Sequence, residues 1–193
     1  MTVPRVLATG AAPAMALGLA LVLAACAGAP RTVTHAQSPN DIFRLVITPT
    51  LPLEVYGTPF PGVDRQTLAD ASAAGLSGLV NRRPLTFVPV PSGSGGEGYR
   101  TVLFVGRGGG VVPGDRLCAG PVPPAAGAGG GQDEGLRASA AVCHGTTLVS
   151  WAEGWSGMPP SPESPGYRAL MDRLADAVFA RTRDEDRGDP WPS

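Results

Sequence analysis

Apolar runs along the chain, continuous in some places and alternating with polar residues in others, predict five β-strands. They lie at 43–48, 85–90, 99–105, 136–143 and 146–154. The strand at 99–105 is apolar on both faces from Val102 to Val105, which favours a place in the middle of a sheet. The last two strands are separated by His144-Gly145, and this spacing predicts a hairpin with a tight turn.

A spacing near 3.6 residues predicts two helices, at 65–80 and 166–182. Asp64 can cap the first helix, because its carboxylate can accept hydrogen bonds from the free amides of the first turn. Pro165 suits the first position of the second helix. That helix carries one apolar stripe, formed by Tyr167, Leu170, Met171, Leu174, Val178 and Phe179.

These elements predict a single α+β domain over 42–183. We expect one mainly antiparallel sheet of about five strands with both helices packed on one face. A small β-sandwich with a peripheral helix is the alternative. The proline-rich stretch 49–63 predicts an extended connection, and the long Gly/Pro-rich loop at 106–135 is either functional or disordered. The charged tail at 184–193 is expected to be disordered.

The amino terminus has a different composition. Arg5 is followed by an apolar run from Ala11 to Ala25, which has 15 residues and would span roughly 22 Å as a helix. A membrane span needs about 20 apolar residues, so the run is typical of a signal-peptide core behind a positive flank. We therefore interpret 1–25 as a signal peptide, with a permanent anchor helix as the alternative.

The apolar run ends in Leu23-Ala24-Ala25-Cys26, which resembles the lipobox of bacterial lipoproteins. In that family the small residues let the peptidase approach the backbone, and the cysteine thiol takes a diacylglyceryl group as a thioether. The resemblance covers only the first 26 residues. It implies cleavage before Cys26, acylation of Cys26 and of the new amino terminus, and durable anchoring to the lipid bilayer.

Such a protein is held at the cell envelope and faces the periplasm. Ala27, rather than Asp, follows the cysteine, and in enteric bacteria this resembles an outer-membrane signal. Residues 26–41 are mostly small or polar and show no periodicity. They predict a flexible, lipidated tether between the membrane and the domain.

The chain has three cysteines, and their number is informative. Lipidation of Cys26 leaves Cys118 and Cys143 in an oxidising compartment, where a pair is expected to form a disulfide. Chain entropy predicts roughly 3–4 kcal/mol of stabilisation for the loop of about 25 residues that it would close. Two buried free thiols are the alternative.

Charge and motifs limit the functions further. Removal of Arg5 leaves 14 of the 15 basic residues against 16 acidic ones, with no basic stripe, so we expect no nucleic-acid partner. The glycine pattern at 93–98 has the spacing of a dinucleotide fingerprint, but a strand follows it where that mechanism needs a helix. One His and two Cys in the predicted domain are too few for a zinc site, and we expect no cofactor.

Two places could carry catalysis. Cys143-His144 offers a thiol beside an imidazole, but neighbouring residues on a strand or turn point to different faces. Ser156, next to Trp155, lacks the Gly-x-Ser-x-Gly setting of a hydrolase nucleophile. We interpret Trp151 and Trp155 as a core residue and an exposed aromatic, with a carbohydrate platform as the alternative.

The sequence therefore predicts a membrane-anchored envelope lipoprotein with no catalytic, cofactor-binding or metal-binding residue. We expect a binding or assembly module, with an envelope protein or a cell-wall component as its partner. The alternative is a periplasmic hydrolase or thiol enzyme that uses Cys143 and His144, or the region of Trp155 and Ser156.

Overall fold

A computed structural model of the protein describes residues 29–37, 48–80, 83–108, 111–122 and 135–179. Within these ranges the chain forms one seven-stranded sheet and three helices. The strands are β1 (Arg31–Gln37), β2 (Thr50–Tyr56), β3 (Gly78–Val80), β4 (Arg83–Val90), β5 (Tyr99–Arg107), β6 (Leu136–His144) and β7 (Thr147–Ser156). The helices are α1 (Arg65–Leu76), α2 (Gly114–Cys118) and α3 (Pro165–Phe179).

The strand order across the sheet is β1-β7-β6-β5-β2-β4-β3. β2 runs parallel to both of its neighbours, β4 and β5, and the other pairs are antiparallel. The predicted α+β class is confirmed. The predicted sheet of about five mainly antiparallel strands is only roughly right, because the described residues form seven strands and the centre of the sheet is mixed.

The two longer helices cover one face of the sheet, which we call the helix face. α1 begins after Asp64, whose Oδ1 accepts a hydrogen bond from the Thr67 amide at 2.9 Å, as the capping prediction requires. The apolar sides of α1 and α3, the latter with Leu170 and Leu174, bury against alternate residues of the central strands, among them Leu53, Leu103 and Val142. This is the larger of the two cores, and burial of its apolar area is the main force that holds the helices down.

The other face of the sheet, which we call the strap face, is covered by the segment 111–122 with α2 at its centre. The second core lies between this segment and the sheet and is formed by Val102, Phe104, Val112, Leu117, Cys118, Val122, Ala141 and Cys143. Gly114 makes the close approach possible, because an added Cβ there would meet Trp151 at 2.6 Å. The predicted loop at 106–135 thus contains a short helix and part of a core.

Several predicted elements agree with the structure. The strand at 99–105 lies in the sheet interior as β5, between β6 and β2. The hairpin is present as β6 and β7, and its turn has Gly145 at φ 57°. The second helix begins at Pro165, as predicted, and Ser164 caps it by accepting a hydrogen bond from the Tyr167 amide.

The first helix is shorter than predicted, and the end of the predicted range forms a strand instead. α1 stops at Leu76, because Ser77 has an extended backbone at ψ 134°. The Ser77 hydroxyl then bonds the Ala73 carbonyl at 2.7 Å and accepts from the Phe87 amide at 2.9 Å. These bonds turn the chain into the three-residue strand β3, which pairs with residues 83–85 of β4.

Two predictions about the first third of the chain are wrong. Residues 31–37, assigned to the flexible tether, form β1 and pair with β7 from Arg31↔Trp155 to Gln37↔Ser150. The stretch 49–63, predicted as an extended connection, contains β2, a strand in the sheet interior. The predicted strand at 43–48 lies almost entirely outside the described residues, as do the signal peptide and the tail at 184–193.

Candidate functional site

The two domain cysteines form a disulfide, as their number predicts. Cys118, at the end of α2, is joined to Cys143 of β6 with a Cα–Cα distance of 5.5 Å. Both residues are fully buried in the second core. Cys26, the predicted lipidation site, lies outside the described residues. The bond ties the strap segment to the sheet, and it occupies the sulfur atom that a thiol enzyme would use.

His144 does not approach the sulfur of Cys143. It is exposed, and its ring lies 4.6 Å from the ring of Tyr99 on the neighbouring strand. Side chains alternate along a strand, so His144 and Cys143 belong to opposite faces of β6. The structure therefore does not assemble the Cys143–His144 pair that the enzyme alternative requires.

A buried ionic cluster, not predicted from the sequence, lies beside the disulfide on the strap face. Arg100 of β5 pairs with Glu54 of β2, with 3.0 Å between Nε and Oε1, and these residues are only 6% and 2% exposed. The second carboxylate oxygen, Oε2, accepts hydrogen bonds from the Tyr56 hydroxyl at 2.9 Å and from the Gly93 amide at 2.8 Å. A buried ion pair is tolerated when its remaining polar atoms are bonded in this way.

The Arg100 guanidinium also contacts two backbone carbonyls that belong to different elements. Nη1 donates to the carbonyl of Gly145 in the β6–β7 turn, and Nη2 donates to the carbonyl of Cys118 at 3.0 Å. One side chain therefore joins β2, the hairpin turn and the end of α2. The planar fork of donors makes arginine suited to such a junction.

Tyr56 stands at the rim of the ionic cluster and is half-buried. Burial, together with the hydrogen bond to the Glu54 carboxylate, raises the pKa of Tyr56 to about 12. The phenol is therefore protonated at neutral pH and acts as a hydrogen-bond donor rather than as a base. The cluster as a whole is arranged to hold elements together, because its charged atoms are either paired with each other or hydrogen-bonded to groups on other elements.

A second, more exposed group of polar and aromatic side chains lies on the strap face where β1 meets β7. The His35 ring stacks on Trp151 with 4.2 Å between ring centroids and 22° between planes. His35 Nε2 also lies 2.9 Å from Oε1 of Glu153. The group offers one imidazole and one carboxylate, and within the described ranges no cluster of three or more His, Cys, Asp or Glu residues could hold a metal ion.

Ser156, the other candidate nucleophile, is not part of that group. Its hydroxyl donates to the Gly157 carbonyl at 2.8 Å. Successive side chains of a strand point to opposite faces of the sheet. Ser156 therefore belongs to the helix face, whereas Trp155, Glu153 and the partner of Glu153, His35, belong to the strap face. The structure does not bring Ser156 together with the acid and imidazole that would activate it.

A pocket of about 340 Å³ adjoins α2. Its lining is mainly apolar, with Arg116 as the charged member, and consists of Val111, Val112, Pro113, Arg116, Ala119, Gly120, Pro121 and Val122. Such a lining can hold an apolar group but supplies no acid–base pair for catalysis.

Sequence reasoning missed both polar groups for the same reason: each joins residues that are distant in the chain. Glu54 and Arg100 are separated by a helix and two strands, and His35 was assigned to the tether. A partial signal exists for His35, because Arg31, Val33 and His35 are separated by the two-residue period of a strand. Glu54 gives a similar signal, since a lone carboxylate among Leu51, Leu53 and Val55 suggests a buried partner.

Comparison with known proteins gives little beyond this. No family model matches the chain, and no curated protein matches it. Among solved structures, two crystal forms of the PelC dodecamer from Paraburkholderia phytofirmans are similar over 80% of this chain and 99% of theirs. The identities are 11% and 12%, and the TM-score is 0.40 in both cases. A likeness at this level does not assign a family or a function to the chain.

In the part of the chain that the structure describes, no helix is long and apolar enough to cross a bilayer.

Proposed function

We propose that the protein is an envelope lipoprotein, anchored through acylated Cys26, whose domain is a non-catalytic binding or assembly module. The observation that carries the proposal is the pairing of Cys118 with Cys143. Disulfides persist in oxidising compartments such as the periplasm. Of the three cysteines in the sequence, Cys26, at the end of the apolar leader, is the one that this disulfide does not include.

The arrangement of the candidate catalytic residues supports the non-catalytic part of the proposal. The Cys143 sulfur is bonded, His144 belongs to the other side of its strand, and Ser156 has a carbonyl rather than an imidazole as its partner. The buried ionic cluster holds structural elements together.

Counting thiols tests the anchoring directly. Protein extracted from membranes is denatured and alkylated, with and without prior reduction, and the labelled thiols are counted by mass. We expect none without reduction and two after it, because lipid occupies Cys26 and the other two cysteines are paired. One label before reduction and three after it would show that Cys26 is free and that the proposal is wrong.

A Cys26→Ser variant provides the matched control. It should keep the disulfide, so its thiol count should be unchanged, but it should lose acylation and leave the membrane fraction. If Cys26→Ser remained in that fraction, the anchoring would have to come from another part of the chain.

The binding role is tested at the most exposed large apolar residue of the described chain, Leu79 of β3, which is 74% exposed. A photo-crosslinking residue placed there should give a discrete adduct in intact cells, and the adduct should disappear in the Cys26→Ser background. The same residue placed at Arg168, on the outer side of α3, is the control. A protein that gives no adduct from any exposed position would count against a binding module.

A further inference from the structure

The short distance in sequence between Cys26 and β1 restricts how the domain can lie relative to the membrane. β1 begins at Arg31, so five residue steps separate it from the anchor. A fully extended chain of this length reaches at most about 18 Å. The tether that the sequence predicted would have had 16 residues and could have let the domain move freely; the strand removes most of that freedom.

The end of the sheet nearest to the anchor carries an aromatic residue between two arginines. In the strand register Trp155 of β7 is paired with Arg31 on one side and with Arg137 of β6 on the other. Directly paired residues project to the same face of a sheet, so these three side chains form one row on the strap face. Both arginines are exposed, and Trp155 is half-buried.

The composition of this row suits the boundary between lipid and water. Tryptophan is enriched at the headgroup level of membranes, where its apolar ring and its N–H are both accommodated. Arginine forms paired hydrogen bonds with phosphate oxygens. The carboxylate two positions along β7, Glu153, has His35 as its polar partner, with 2.9 Å between Oε1 and Nε2.

The opposite end of the sheet, which carries the β6–β7 turn, cannot reach the membrane surface. The hairpin turn at Gly145 lies at the other end of β7, roughly 30 Å from Trp155 at the usual rise per residue of a strand. A tether of five residues cannot bring that turn to the headgroups while Arg31 stays paired. The anchor therefore selects one end of the sheet.

We propose that the row formed by Arg31, Trp155 and Arg137 docks onto the anionic lipid surface beside the acylated Cys26. This inference rests on the proposed function, because it requires the lipid anchor. Docking fixes the orientation of the domain: the strap face meets the bilayer along one end, and the β6–β7 turn with His144 points away from it.

Fluorescence quenching by brominated lipid tests the docking. The lipidated protein is reconstituted into vesicles of phosphatidylcholine and phosphatidylglycerol, with bromine placed on the upper part of the acyl chains. The difference between wild type and Trp155→Phe isolates the Trp155 signal. We expect this signal to be weaker in the brominated vesicles than in vesicles without bromine, because the indole would lie at the level of the headgroups.

Matched variants make the test specific. Trp151→Phe should isolate a signal that is not quenched, since Trp151 lies against α2 and His35. Reversal of the row charges in Arg31→Glu/Arg137→Glu should reduce the quenching of Trp155. The same number of reversals on the exposed side of α3, in Arg168→Glu/Arg173→Glu, should leave it unchanged.

The two proposals can fail separately. If the protein does not float with the vesicles, or if Cys26→Ser floats equally well, the anchoring is wrong. If the anchored protein floats but its Trp155 signal is the same with and without bromine, the docking is wrong and the anchoring stands. Insertion of about ten Gly and Ser residues before Pro30 should also lower the quenching, because the longer tether no longer holds the row at the surface.

Discussion

The two faces of the sheet are held to their covers by different forces. On the helix face, α1 and α3 bury a continuous apolar core, and the polar contacts between them are few. On the strap face, a five-residue helix and its flanks cover a small core, and a disulfide and a buried arginine hold that segment in place. The comparison teaches that a short segment too small to hold itself by apolar burial can still cover a face when it is crosslinked.

The largest effect is expected from Arg100→Ala on the strap face. The substitution leaves the Glu54 carboxylate buried without its counter-charge and frees the carbonyls of Gly145 and Cys118. We expect the free energy of unfolding to fall by about 3–5 kcal/mol. Denaturant unfolding measures this, with Arg168→Ala on the exposed side of α3 as the control. Equal costs for the two variants would contradict the role of Arg100 as a junction.

Removal of the disulfide comes next. Cys118→Ala/Cys143→Ala should lower the free energy of unfolding by about 3 kcal/mol, because the unfolded chain loses its crosslink. The difference between the two faces also predicts a local effect, confined to the segment that the disulfide holds. Amide hydrogen exchange should rise most in Gly114–Cys118, whereas the amides of α3 should follow global unfolding. Equal acceleration of exchange in both helices would show that the strap does not depend on its crosslink.

A smaller effect is expected for a polar contact on the helix face. The Tyr167 hydroxyl is 2.7 Å from the Ser72 hydroxyl between α3 and α1. Tyr167→Phe keeps the ring in the core, and Ser72 keeps its bond to the Leu68 carbonyl. We therefore expect a loss of about 1 kcal/mol in denaturant unfolding. A loss as large as that of Arg100→Ala would mean that polar contacts hold both faces equally.

The smallest effect concerns Tyr56 at high pH. Its pKa is about 12 in the folded protein and near 10 in an unfolded chain. Because the pKa of Tyr56 is higher in the folded protein than in the unfolded chain, its hydroxyl contributes fully to the free energy of unfolding below pH 10. This contribution is lost as the pH rises toward 12. Burial raises the pKa of Tyr167 as well, so the absorbance titration is made in a Tyr167→Phe background, where it should show one late phenolate that is missing when Tyr56 is also replaced by Phe. Ionisation of all accessible tyrosines near pH 10 would contradict the hydrogen bond to Glu54.

Sequence reasoning worked where one local pattern determined an element. The apolar stripe of α3, the doubly apolar run in β5 and the hairpin glycine each specify local structure without help from distant residues. It failed where tertiary contacts override local preference. Pro52 and Glu54 are residues that argue against an interior strand, so the sequence of β2 does not predict one. Glu54 is accommodated there by its pairing with Arg100, which lies 46 positions further along the chain.

The edge strand β1 is a second element that local sequence could not predict, because it is held by distant residues. The residues of β1 have little apolar character of their own, and the strand is held by its pairing with β7, by the bond from the Thr34 hydroxyl to the Ala177 carbonyl at 2.8 Å, and by the stacking of His35 on Trp151. None of these partners is near in sequence. A segment of this kind looks like a tether until the sheet beside it is known.

The intact mass of the protein extracted from membranes tests the central claim most directly. We predict the mass of a chain that begins at Cys26, increased by a diacylglyceryl group and an amide-linked acyl chain and reduced by the two hydrogens lost to one disulfide. A chain that begins at Met1, or one that begins elsewhere and carries an unmodified Cys26, would contradict the lipid anchor and, with it, the orientation proposed for the domain.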